Sequence, residues 1–87
     1  MESTIILAAQ GGDRTAFSTL VSRYSRRIYS VAYSFLRNMD DAADVTQETF
    51  MKAYLGLARF EAERPVFPWL YQIAKNLSLN RIEKRSR

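Results

Sequence analysis

Residues 13–37, DRTAFSTLVSRYSRRIYSVAYSFLR, decide which kind of fold this chain adopts. Phe17, Leu20, Val21, Tyr24, Ile28, Val31, Ala32 and Phe35 recur at helical spacing, so a helix places them on one apolar stripe. Asp13 stands at its start as a cap, and the helix is predicted over roughly 14–37. Opposite the stripe stand Arg23, Arg26, Arg27 and Arg37, with no acid between residues 14 and 39. Such a face is either a solvated surface behind a core or a set of cations that meets phosphate. Both readings stay open.

Toward the N-terminus, Ser3 or Thr4 is expected to cap a short helix over 5–10, which Gly11-Gly12 ends. Toward the C-terminus, Asn38-Met39-Asp40 reads as a turn. Asp40 or Asp41 then caps a helix over roughly 41–57, whose early acids suit the positive end of the helix dipole. Thr46, Phe50, Ala53, Tyr54 and Leu57 are read as its core face. Asp44, Gln47, Glu48, Met51 and Leu55 share another side at spacings of three and four. Acids, an amide and two apolar side chains together fit a face on which a partner helix docks. The competing reading tucks Met51 and Leu55 beneath a neighbouring helix.

ARFEAERPVFP, residues 58–68, reads as a loop of roughly eight residues, with Pro68 suited to the first turn of a last helix. There Leu70, Ile73, Ala74 and Leu77 form the core stripe, with Trp69 at its margin. Tyr71, Lys75, Leu79 and Ile82 lie around the opposite side, with Gln72 and Asn76 beside them. The expected fold is all-α: a compact bundle of three main helices plus a short N-terminal helix, in one domain over 1–87.

Composition narrows the function. A chain of 87 residues forms one domain and buries only about 60% of its unfolded surface. It is 47% apolar and 25% charged, as in ordinary globular proteins. Cysteine and histidine are both absent, which removes thiolate metal sites, the commonest metal ligand and the usual general base. No apolar run approaches the roughly 18 residues of a membrane span, and the opening lacks a signal peptide's basic start. A soluble cytoplasmic domain is expected.

Asp40, Asp41, Asp44 and Glu48 form the only acidic cluster. On an exposed helix face they suggest neither a metal loop nor a buried acid/base pair. No enzymatic activity, cofactor or metal is expected. The net charge of +4 has one location: residues 68–87 hold five Lys or Arg against Glu83, while residues 1–67 cancel at eight each. A helix so charged reads nucleic acid, or is a solvated terminal helix whose cations suit its last turn.

Three stretches carry a family resemblance. DDAADVTQETFMKAY at 40–54 and PWLYQIAKNLSLNRIEK at 68–84 resemble the second conserved region of bacterial sigma factors of the extracytoplasmic-function group, and GDRTAFSTLVSRYSRRIY at 12–29 is similar to that group's opening helix. The family is a promoter-specificity subunit of RNA polymerase. By resemblance, Asp44, Gln47 and Glu48, with Met51 and Leu55 on the same side, dock on the clamp coiled coil of the polymerase's largest subunit. The loop 60–67 and the start of the last helix take the minus-ten promoter element as a single non-template strand, with one base turned out into the loop.

A base leaving its stack costs a few kcal/mol, and stacking on an aromatic returns about 1–3 kcal/mol. Phe67, Trp69 and Tyr71 are the stacking candidates, although Trp69 serves equally as core. Gln72, Asn76 and Asn80 offer donors and acceptors to base edges, beside apolar Leu79. Arg64, Lys75, Arg81 and Lys84 would contact phosphate, which positions without specifying. The sequence departs from the family's usual wording at Ala43, Asn80 and Val66, where an acid, an Asp and an aromatic are common. Members normally continue into a helix-turn-helix domain that reads the minus-thirty-five element, and an anti-sigma inhibitor commonly covers these surfaces. The chain is accordingly expected to be an excised domain or one that acts with other parts. Two other readings compete: a helical protein-interaction module without DNA reading, and a helix-turn-helix on duplex DNA. No short second helix at a tight turn supports the latter.

Overall fold

The 23 residues of α2, Arg14–Leu36, run past every other helix. Asp13 caps them: its carboxylate accepts the Ala16 N–H at 3.2 Å. The computed structural model describes residues 1–86, which also contain α1, Glu2–Gln10; α3, Met39–Gly56; a 3-10 turn, Leu57–Arg59; and α4, Val66–Arg85. Among the described residues there is no strand, and the all-α bundle matches expectation.

The α2–α3 reversal is tighter than predicted. Arg37 adopts the left-handed conformation (φ 54°) and donates its N–H to the Tyr33 carbonyl at 2.9 Å. Asn38 follows in extended backbone, and its side-chain oxygen accepts the Asp41 N–H at 2.9 Å. Asn38 is therefore the cap, not Asp40 or Asp41, which lie inside the first turn near the positive end of the dipole.

Helix α1 begins at Glu2, ahead of the predicted start at Ile5, and has no side-chain cap. A tertiary tie holds its first turn instead. The Glu2 carboxylate accepts from the Tyr24 hydroxyl at 2.5 Å and from Arg23 at 2.9 Å. At the other end Gln10 donates to the carbonyls of Leu57 (3.0 Å) and Phe60 (2.7 Å), fixing the loop entrance. Gly12 turns the chain between α1 and α2 at φ 101°, a region closed to most side chains.

Leu20, Tyr24, Ile28, Ala32 and Leu36 of α2 meet Ile6 of α1, Val45, Phe50 and Ala53 of α3, and Val66, Leu70 and Ala74 of α4 in one core. Alanines at the fully buried positions 32, 42 and 74 keep the facing helices close. The α3 face differs from expectation. Ala42, Val45 and Thr49 are buried with Phe50 and Ala53, whereas Tyr54 is 52% exposed. The Thr49 hydroxyl bonds the Val45 carbonyl at 2.7 Å, so this residue packs like an apolar one. Tyr54 keeps its phenol in water and sets its ring edge against Phe17 at 5.1 Å.

The loop is also shorter than predicted, because Val66 is buried and Val66 and Phe67 are already helical. Pro68 sits in the first turn of α4, as expected. Ile82 is half-buried against the core rather than on the outer face, and Ser78 joins the buried side of α4. No helix among the described residues is long and apolar enough to cross a membrane.

Candidate nucleic-acid and partner interfaces

Buried Val66, Leu70, Ala74 and Ser78 orient α4. Helical geometry then turns Gln72, Lys75, Asn76 and Leu79 outward, with Phe67 and Tyr71 at the margin facing α2 and Trp69 at the margin facing the end of α3. Gln72, Asn76, Asn80 and Lys84 are exposed, as are Leu79 (43%) and Tyr71 (36%), while Lys75 is half-buried. Gln72 donates to the side-chain oxygen of Asn76 at 3.3 Å, so two of the predicted base-reading amides hold each other in place.

Beside this face the loop forms a cleft of about 600 Å³ lined by Gly56, Arg59, Phe60, Glu61, Arg64, Pro65, Pro68, Trp69 and Gln72. Phe60 stacks on Trp69 with ring centroids 4.5 Å apart. Trp69 is thus neither wholly core nor wholly surface: it packs on Phe60 and also lines the cleft. Arg64 pairs with Glu61 at 3.4 Å across the loop turn. The cleft joins Arg64, Trp69 and Gln72 from the predicted set. It adds Arg59, which lies just outside the expected strand-binding loop, and gives Phe60, the first residue of that loop, a stacking role.

Phe67 lies apart from the cleft. Its ring stacks near Tyr24 (6.1 Å) and tilts toward Tyr71 (6.2 Å), and the Arg27 guanidinium sits 3.8 Å from its centroid. Burial, aided by the Glu2 carboxylate, raises the Tyr24 phenol above its ordinary 10.0.

Arg81 is placed differently from the other predicted strand contacts. It lies 3.4 Å from Asp41, 3.7 Å from Asp44 and 3.9 Å from Glu48. Arg85 also pairs with Asp41 and donates to the Leu36 carbonyl at 3.1 Å. These cations tie the end of α4 to α3, so the net positive charge on the outer face is smaller than the sequence implies.

On α3, Asp44 and Gln47 are exposed, Glu48 is half-exposed, and Met51 (59%) and Leu55 (78%) stand in solvent rather than beneath a neighbour. The five predicted docking residues do share one accessible side. Arg81 partly neutralises its acidic end.

Residues 20–87 match the sigma-70 region 2 family. The chain belongs to that family. This region 2 domain is similar to the ECF RNA polymerase sigma factor SigW of Bacillus subtilis (strain 168), with 40% identity over 74 residues, 85% of this chain and 40% of that protein. It is also similar to an engineered region 2 of sigmaE, whose NMR structure was solved in complex with GTAAAA. That likeness has 34% identity and a TM-score of 0.91, and covers 100% of this chain and 90% of the other. A third likeness, to CnrH in complex with the cytosolic domain of CnrY, has 32% identity and a TM-score of 0.85 over 91% and 51% of the two chains. The chain spans about half the length of these longer relatives, 40% of SigW and 51% of CnrH. The outer face of α4, the loop cleft and the exposed side of α3 all lie within the matched region 2 residues.

Proposed function

We propose that this chain is the promoter-reading, polymerase-docking domain of an extracytoplasmic-function sigma factor, non-enzymatic and acting in the cytoplasm, and that residues 1–87 form that one domain. The observation that carries this reading is an aromatic-floored cleft next to an outward amide and cation face, on a fold that superposes on a region 2 bound to GTAAAA. The non-template strand of the minus-ten element runs along the outer face of α4. One base turns into the cleft between Phe60, Trp69 and Gln72. Stacking at about 1–3 kcal/mol per base offsets the few kcal/mol of unstacking, and Gln72 or Asn76 reads the base edge. Arg64, Lys75 and Lys84 place the backbone without specifying sequence.

Nothing in this scheme hydrolyses a bond. The domain holds the opened strand and shifts the duplex equilibrium by differential affinity. Asp44, Gln47, Glu48, Met51 and Leu55 dock on the clamp coiled coil of the largest polymerase subunit, and an anti-sigma protein competes for the same surfaces. The test is an amide-shift titration of the labelled domain with single-stranded GTAAAA. Shifts are expected at Arg59, Arg64, Trp69, Gln72, Lys75 and Asn76 and not at Gln47, Met51 or Leu55. A response confined to the exposed side of α3 would overturn the assignment.

A further inference from the structure

Arg27 lies on the basic face of α2, which the sequence leaves open between solvent and phosphate. Its guanidinium rests 3.8 Å from the Phe67 ring centroid and 5.7 Å from that of Tyr24. Its neighbour Arg23 is already paired with Glu2 at 2.9 Å. Among the described residues no carboxylate lies within ion-pair distance of Arg27, and none of its guanidinium N–H groups donates to a protein acceptor. The cation is therefore held in place by aromatic faces while its five N–H donors remain unspent.

The place where it is held matters. Phe67 lies in the first turn of α4, and Tyr24, Phe67 and Tyr71 form an aromatic row from α2 to the margin of the outer face of α4. A planar cation seated on aromatics beside a polar helix face is the composition used to grip a single strand: aromatic surface for bases, guanidinium for phosphate. Arg23, Arg81 and Arg85 each engage a carboxylate, whereas Arg27 engages only aromatic faces.

We infer that Arg27 binds a backbone phosphate of the single strand, carrying its path off the first turn of α4 and onto α2, with Phe67 as the platform that positions the guanidinium. This rests on the strand-binding reading above. It adds a contact on a helix that reading leaves unused.

The test is fluorescence anisotropy of a labelled single-stranded DNA carrying GTAAAA with thymidine flanks, titrated at several salt concentrations. Arg27→Gln should weaken binding about tenfold at low salt, as for one lost charge-assisted contact, and reduce the log–log salt slope by about 0.7. Arg27→Lys should weaken binding but keep the slope, because it retains the charge and loses the planar fork. Arg23→Gln, already neutralised by Glu2, should change neither affinity nor slope. Wild-type binding with an unaltered Arg27→Gln slope and affinity overturns this inference alone. No binding by the wild type overturns the parent reading and this one with it. Thermal melts of each variant separate lost contacts from lost fold.

Discussion

Ser78 has no exposed surface, and its hydroxyl oxygen finds no hydrogen-bond partner among the described residues. An unpaired buried hydroxyl costs about 1–3 kcal/mol. Alanine at the same place removes that penalty, leaves the smallest possible cavity and adds a few tenths of a kcal/mol, roughly, of helix propensity. Ser78→Ala should therefore stabilise the domain by about 1–2 kcal/mol, raising Tm by about 4–8 °C for each kcal/mol in a domain of this size. Thr49→Val is the counter-test. The Thr49 hydroxyl is equally buried but bonds the Val45 carbonyl at 2.7 Å, so its removal should give a loss of up to about 1 kcal/mol. Urea unfolding measures both variants, and an unchanged m-value would show that only stability moved. Because Ser78 lies on the core side of α4, affinity for the single strand should stay the same. A destabilised Ser78→Ala would mean that the hydroxyl is bonded in solution, and the description of this core face would be refuted.

Replacing Gln47 and Glu48 together by Ala should lower association with core polymerase about tenfold or more while helicity and strand binding persist; loss of helicity would show that they support the fold instead. Adding Met51→Lys should deepen the docking loss, because a charge would then replace an apolar side chain on the docking face. Tyr24→Phe removes the bond to Glu2 and should cost about 1 kcal/mol at neutral pH, a modest figure because Glu2 is partly in water. The raised Tyr24 phenol adds a pH signature. Its neutral form stabilises the fold fully below pH 10.0, and that contribution is lost as pH rises through the higher folded value. The wild type should thus lose its advantage over Tyr24→Phe above pH 10.0, measured by urea unfolding across alkaline pH, and a constant difference would contradict the assignment.

Much of the fold is legible in the sequence. The stripe from Phe17 to Phe35 set the central helix, since eight apolar residues at one spacing leave little choice of face. The exposed side of α3 and the outward row on α4 followed from the same geometry. The misses share a cause: side chains whose polarity depends on a partner. The core face expected for α3 omits Thr49, whose own helix absorbs its hydroxyl, and includes Tyr54, whose phenol favours water. The engagement of Arg81 with Asp41 is likewise hidden, because sequence displays a charge without the acid 40 residues away. The start of α1 was misplaced for a similar reason, since Glu2 is anchored by residues 21 and 22 positions further on. The stack of Phe60 on Trp69 depends on how the loop folds back, which no periodicity encodes.

The central claim is that a helical unit offers an unpaired strand a face that a duplex cannot use. It is tested most directly by the ratio of affinities for a GTAAAA-bearing single strand and for the same sequence annealed to its complement. Tighter binding to the single strand is expected, falling with salt at a log–log slope of about 0.7 per phosphate neutralised. Equal or stronger binding to the duplex would contradict it.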